Sequence, residues 1–207
     1  MFFSIANRMD YVVMFVVAII VIIGIYQFYF WCQRNNQRPP VTLHSFVDNW
    51  FELRPRWIWV YSGLYYPIII VMVFTFKSIR HFNYTILSFV LLLLMQMLFF
   101  VFLPVQTPDV WRVRRSGSSL TDRFMNYVQA VDGANNCFPS MHMSVATLTA
   151  LHLLANIPAI GFWIWIFPAL IGVSAMYTKQ HYFLDLLPGA GLGWVSYRLF
   201  MLIYRAA

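Results

Sequence analysis

Apolar residues in this chain come in long unbroken runs, not in the short alternations of a soluble helix or strand. Six runs stand out, at about 11–31, 57–76, 84–104, 142–157, 159–178 and 186–204. A helix needs about 20 residues to cross the hydrocarbon of a bilayer. The first three runs meet that length and the fourth is short. The fourth and fifth are parted only by Asn156, Ile157 and Pro158, which predicts a tight helix hairpin. The sixth carries Gly189, Gly191 and Gly193, small residues that let membrane helices approach closely. The pattern predicts an all-α integral membrane protein, one membrane domain over residues 1–207, built as a six-transmembrane-helix bundle. Arg8 precedes the first run and no small-x-small cleavage pattern ends it, so a retained first helix is expected.

Two polar stretches interrupt the runs. Residues 32–56 hold Arg34, Arg38, Pro39, Pro40, His44, Asp48 and Glu52. Within them Phe46, Trp50 and Leu53 fall at helical spacing, which predicts a short interfacial helix. Residues 105–141 hold Arg112, Arg114, Arg115 and Arg123 beside Asp109, Asp122 and Asp132. With six crossings, these two loops and the turn at Lys179 share one face of the membrane. The termini and the Lys77–Arg80 turn share the other. Trp57, Trp59, Tyr65 and Tyr66 read as an interfacial aromatic belt.

Composition sharpens this picture. Of 207 residues, 61% are hydrophobic and 10% charged, against about 45–50% and about 25% in soluble domains. The excess excludes a soluble core. The net charge of +7 fits headgroup contact and topology, or arginines that bind an anionic substrate. Without a basic soluble module, nucleic acid is not an expected partner. Cys32 and Cys137 form no close metal-binding pair, and no HExxH or clustered carboxylates occur, so neither metal nor cofactor is expected.

The chemistry concentrates in two stretches. In Pro139-Ser140-Met141-His142, the proline ends a loop, Ser140 can cap the following helix, and His142 falls in its first turn. A helix N-terminus offers free N–H groups and partial positive charge, which suit phosphate. In the second stretch, His181 and Asp185 lie four apart and so share a helix face. A carboxylate that accepts from one imidazole nitrogen leaves the other free as a nucleophile. Either stretch alone also fits a plain cap or a self-satisfied pair. Six crossings would bring both to the arginine-rich face, which points to phosphoryl transfer. No P-loop or other glycine-rich nucleotide loop is present.

These stretches resemble the type 2 phosphatidic acid phosphatase superfamily of membrane enzymes. Its Pro-Ser-x-His motif matches Pro139-Ser140-Met141-His142. Its Ser-Arg, five residues, His, three residues, Asp motif matches Ser174, His181 and Asp185. The resemblance implies a six-helix core, His181 as the nucleophile of a phosphohistidine, Asp185 as its orienter and His142 as the acid for the leaving group. Two departures stand out. Ala175 occupies the arginine position, and the Lys, six residues, Arg-Pro motif has no clean counterpart. Ser140, Arg112, Arg114, Arg115, Arg123 and Lys179 are the candidates to bind phosphate in its place. A monoester carries nearly two charges and a diester one, so a site short of cations suits a diester. Phe138 to His142, Met176-Tyr177, the run His181 to Asp185, and Leu103-Pro104-Val105 with Pro108 are similar to the inositol phosphorylceramide synthase branch. That branch moves a phosphorylated headgroup between lipids.

The expected substrate is therefore a lipid phosphate met among membrane lipids, with a lipid alcohol as acceptor. A lipid phosphate phosphatase and a non-catalytic lipid-binding or lipid-moving protein are the competing readings. The Lys and Arg count would put the motif loops in the cytoplasm, whereas the resemblance implies an extracytoplasmic or lumenal active site.

Overall fold

The computed structural model describes residues 7–112, 114–117 and 119–206. The chain folds as helices. α1 spans Arg8–Arg34, α2 Tyr65–Met72, α3 Ile79–Phe102, α4 Leu120–Val131, α5 Met141–Asn156, α6 Ile166–Tyr177 and α7 Phe183–Ala206. Short turns extend two of these. α2 sits within a continuous run over Pro55–Thr75, and α6 within one over Pro158–Tyr177. Among the described residues, five helices are long and apolar enough to cross a membrane: Arg8–Arg34, Pro55–Thr75, Ile79–Phe102, Pro158–Tyr177 and Phe183–Ala206.

α5 is 16 residues long, under the roughly 20 residues of a full crossing. It is nonetheless the most enclosed helix, with Ala146, Leu148, Ala150 and His152 inaccessible. Its closest partner is α7. A methyl group on Gly189 would lie 2.6 Å from the Ser140 carbonyl oxygen, and one on Gly193 would lie 2.3 Å from that of Ser144. Only glycine lets the two backbones meet there, which is the small-residue contact expected between membrane helices. Gly191 faces away, with nothing within 4 Å.

The interfacial stretch forms a single 3-10 turn, Phe46–Trp50, with Phe46 and Trp50 exposed. The predicted hairpin after α5 appears as an abrupt break. Asn156 ends the helix and bonds Thr75 (2.7 Å), and a 3-10 segment starts at Pro158. α4 is amphipathic and runs from its Ser119 cap to Asp132. The tyrosines expected at the interface turn inward instead: Tyr65 is 3% exposed. Its ring packs at a tilt against His142.

Candidate active site

The site forms where α5 and α7 begin. Ser140 caps α5 by accepting from Met143 N–H (3.3 Å), and its own N–H donates to the Asp185 carbonyl (3.0 Å). One residue thus starts α5 and fastens it to the first turn of α7. Asp185 caps in return: its Oδ2 accepts from Tyr182 N–H at 2.9 Å. These local bonds bring His142 and His181, 39 positions apart, to a ring separation of 6.0 Å.

His181 is 5% exposed. Its Nδ1 lies 3.1 Å from the Cys137 carbonyl oxygen and 3.4 Å from Asp185 Oδ2. Both neighbours are acceptors, so Nδ1 carries the proton and Nε2 keeps its lone pair. An imidazole held in that tautomer can attack phosphorus through Nε2. Asp185 is inaccessible, and its Oδ1 has no partner among the described residues.

His142 stands opposite. Its Nδ1 is 2.8 Å from the Tyr61 hydroxyl, and its ring stacks on Tyr61 (centroids 4.1 Å) and packs against Tyr65 (4.7 Å). With Nδ1 engaged, Nε2 is the nitrogen left to meet a substrate oxygen. Tyr61 gave no sequence signal beyond hydropathy and Tyr65 read only as an interfacial aromatic, because their placement depends on packing against a distant helix.

A further site residue that the sequence did not single out is Asp48. Its Oδ1 accepts from Phe183 N–H (2.8 Å), and its Oδ2 accepts from Ser45 N–H (2.6 Å) and the Ser45 hydroxyl (2.9 Å). This carboxylate is inaccessible and joins the 3-10 turn to the start of α7. Its backbone oxygen takes a 2.8 Å bond from Lys179 Nζ, which also lies 4.5 Å over the Trp111 ring. Burial lowers the Lys179 pKa, and the nearby Asp48 charge opposes that shift. Lys179 has φ 57, a left-handed conformation that costs a lysine about 1 kcal/mol or more.

The arginines occupy different places. Arg112 donates from Nε to Thr107 Oγ1 (2.9 Å), from Nη1 to the carbonyls of Asp132 (2.5 Å) and Gln129 (3.4 Å), and from Nη2 to the Gly133 carbonyl (3.2 Å) and Gln180 Oε1 (3.5 Å). All five of its donors therefore have protein acceptors. It ties the end of α4 to the residue before His181. Arg115 lies 3.9 Å from Asp122. Arg114 and Arg123 line a cavity of about 550 Å³ along α4, with Arg112, Asn126, Tyr127 and Gln129. Neither histidine lines that cavity.

Ala175 has no exposure and packs with Ile58, Tyr61, Met125 and Leu186. The volume an arginine would need is filled by apolar side chains. Cys137 Sγ, His181 Nδ1 and an Asp185 oxygen lie within 4.8 Å of one another and could take a thiophilic metal ion. Such an ion would displace the contacts that orient His181. Burial raises the Cys137 thiol pKa, with the Asp185 charge adding to it, so the resting group is the thiol.

A second cavity, of about 440 Å³, opens beside His142, walled by tyrosines from α1, the Pro55–Thr75 run and α4. Tyr127 borders both this cavity and the arginine-lined one.

No curated protein and no solved structure matches the sequence significantly. The sequence profile of the PAP2 superfamily matches residues 41–199, which hold both histidines, Asp185 and all the arginine candidates. Members of that superfamily are phosphatases or phosphotransferases, which places lipid phosphate chemistry within reach of this site. By this match over more than half its length, the chain belongs to the PAP2 superfamily.

Proposed function

We propose that this protein transfers a phosphorylated headgroup between membrane lipids through a phosphohistidine on His181. The observation that carries the reading is the pair of facing imidazoles. His181 has its Nδ1 turned to two acceptors, and His142 lies across a 6.0 Å ring separation. In the first step His181 Nε2 attacks phosphorus and the bond from phosphorus to the lipid alcohol oxygen breaks. His142 gives a proton to that oxygen. In the second step a lipid hydroxyl attacks phosphorus and yields its proton to His142. The phosphorus–nitrogen bond breaks and His181 is restored. Asp185 holds the protonated Nδ1 and stabilises the positive charge that grows on the ring.

Two features favour a diester over a monoester. The arginine position of the family motif is an alanine packed in the core, and Lys179, the cation nearest in sequence to His181, already donates to Asp48. Arg114, Arg115 and Arg123 then serve as a basic rim that draws the phosphate of lipid headgroups to the site, while Arg112 and Ser140 hold the loops in place. Six crossings, with the short α5 as the fourth, would return both histidines to one face. The reading puts that face outside the cytoplasm.

Hydrolysis shares the first step and differs only in the acceptor. Purified protein and a His181→Ala variant are given lipid phosphomonoesters and phosphodiesters, with and without a lipid alcohol. Transfer predicts a new phospholipid that forms only with the alcohol and is lost in the variant. Free phosphate from monoesters, lost in the variant, would establish a phosphatase instead. Equal lipid movement by both proteins, with no product, would establish a non-catalytic role.

A further inference from the structure

The cavity beside His142 has a composition that a lipid tail pocket does not need. Six tyrosines border it, Tyr26, Tyr29, Tyr61, Tyr65, Tyr66 and Tyr127, together with Asp132. Acyl chains are met well by leucine, valine and phenylalanine, and this chain has an abundance of them. Phenol rings around a carboxylate instead make a surface of negative potential, because each aromatic face carries the negative end of its quadrupole.

Asp132 is held by neutral groups. The Tyr29 hydroxyl (2.5 Å) and Gln33 Nε2 (3.2 Å) both donate to its Oδ1. Arg112 binds only the backbone carbonyl of Asp132. Among the described residues no ion pair reaches this carboxylate. A half-buried carboxylate with neutral partners, on the wall of a mostly apolar cavity, is costly unless a cation completes it. The tyrosine hydroxyls are largely engaged as well: Tyr26 contacts Tyr66, Tyr29 bonds Asp132 and Tyr61 bonds His142. A primary ammonium must find an acceptor for each of its three N–H groups, in a cavity walled mostly by carbon. A quaternary ammonium wants none and is attracted by ring faces and by a nearby carboxylate.

We infer that this cavity is an ammonium cage, and that the substrate is a phosphodiester lipid whose headgroup ends in a quaternary ammonium. The inference rests on the headgroup-transfer reading above and names its donor. At about 440 Å³ the cavity is within the range of ligand sites and exceeds what a trimethylammonium group fills. His142 stands in its wall and faces His181, so a headgroup seated in the cage keeps its phosphorus at the histidine pair. The cage supplies positive-charge recognition where the site lacks cations for the phosphate. It thereby selects a zwitterionic diester over an anionic one.

The test separates binding from turnover. Tetramethylammonium is titrated into the protein in a non-ionic detergent, with tyrosine fluorescence and calorimetry as readouts. The same is done for Asp132→Asn and for Tyr127→Leu, the latter at a cage residue that is 64% exposed and so tolerant of change. Saturable binding is expected, weakened about tenfold in each variant. Lipids with phosphocholine, phosphoethanolamine and phosphoglycerol headgroups are then compared as donors. The first is expected to lead, and its margin to fall in both variants. No tetramethylammonium binding, or equal binding by all three proteins, overturns the cage. Turnover that ignores the headgroup also overturns it, yet leaves the transferase standing. Ammonium binding that depends on Asp132, without turnover of any lipid phosphate, upholds the cage and overturns the transferase.

Discussion

Replacing Tyr61 with phenylalanine removes one hydroxyl and leaves the ring that stacks on His142 at 4.1 Å. What is lost is the 2.8 Å bond to His142 Nδ1. That bond fixes the imidazole so that Nε2 faces the substrate oxygen. A neutral hydrogen bond of this kind contributes about 0.5–1.5 kcal/mol, which corresponds to a fall in kcat of about 2- to 13-fold. The loss should be smaller than for His142→Ala, where a whole general acid worth about 10²–10⁴-fold disappears. The effect should also depend on the leaving group. An alkyl alkoxide needs protonation as it departs, whereas p-nitrophenolate leaves without it. The assay therefore compares Tyr61→Phe with wild type on a natural lipid phosphodiester and on a p-nitrophenyl phosphodiester of the same headgroup. The lipid should show the fall in kcat, and the p-nitrophenyl ester should show almost none. An equal fall on both substrates would mean that Tyr61 shapes the site generally, and would refute its role through His142. No change on the lipid would mean the bond is not used.

Three further outcomes follow from the geometry. Asp185→Asn keeps a similar volume but loses the carboxylate beside His181 Nδ1, so kcat on saturating lipid should drop about 10²–10⁴-fold while the helical circular dichroism stays unchanged. Gly189→Ala would drive a methyl to 2.6 Å from the Ser140 carbonyl and should destabilise the protein by about 1–3 kcal/mol. A lowered thermal midpoint in detergent would show this, whereas Gly191→Ala, with open space around it, should match wild type. Cadmium ions should inhibit by engaging Cys137, His181 and Asp185, with recovery on chelation and weaker inhibition in Cys137→Ser; equal inhibition of that variant would rule out this trio as the metal site.

Hydropathy made the membrane helices legible, because a run of twenty apolar residues has few other fates. It was less informative about α5, whose 16 residues are polar enough at Ser144, Thr147, Thr149 and His152 to blur the pattern. Those groups are hidden by the contact with α7 that Gly189 and Gly193 permit. The His181–Asp185 pair was legible because both lie on one helical turn. The approach of His142 was legible only as a consequence of counting crossings.

The remaining site residues depend on packing between segments far apart in the chain. Asp48 reads as an ordinary acidic loop residue, yet it bonds Phe183 across 135 positions. Tyr65 reads as an interfacial aromatic and Tyr61 as one more residue of an apolar run, but the wider π turn over Trp59–Leu64 and the start of α2 place both against His142. The arginines were indistinguishable in sequence. Their partners separate them: Arg112, Arg114 and Arg123 line the same cavity, but among the described residues Arg112 alone of the three has its guanidinium bonded to acceptors that include the carbonyls of Asp132 and Gly133.

The central claim is a covalent phosphorus–nitrogen bond at His181. It is tested most directly by intact-protein mass spectrometry after an alkaline quench, which preserves phosphohistidine. The protein to use is His142→Ala with a p-nitrophenyl phosphodiester. That substrate needs no acid to form the intermediate, and the variant lacks the base that removes it. The account predicts a mass increase equal to the phosphorylated headgroup, mapped by fragmentation to His181 and absent from His142→Ala/His181→Ala. Release of p-nitrophenol with no adduct, or an adduct on any other residue, would contradict it.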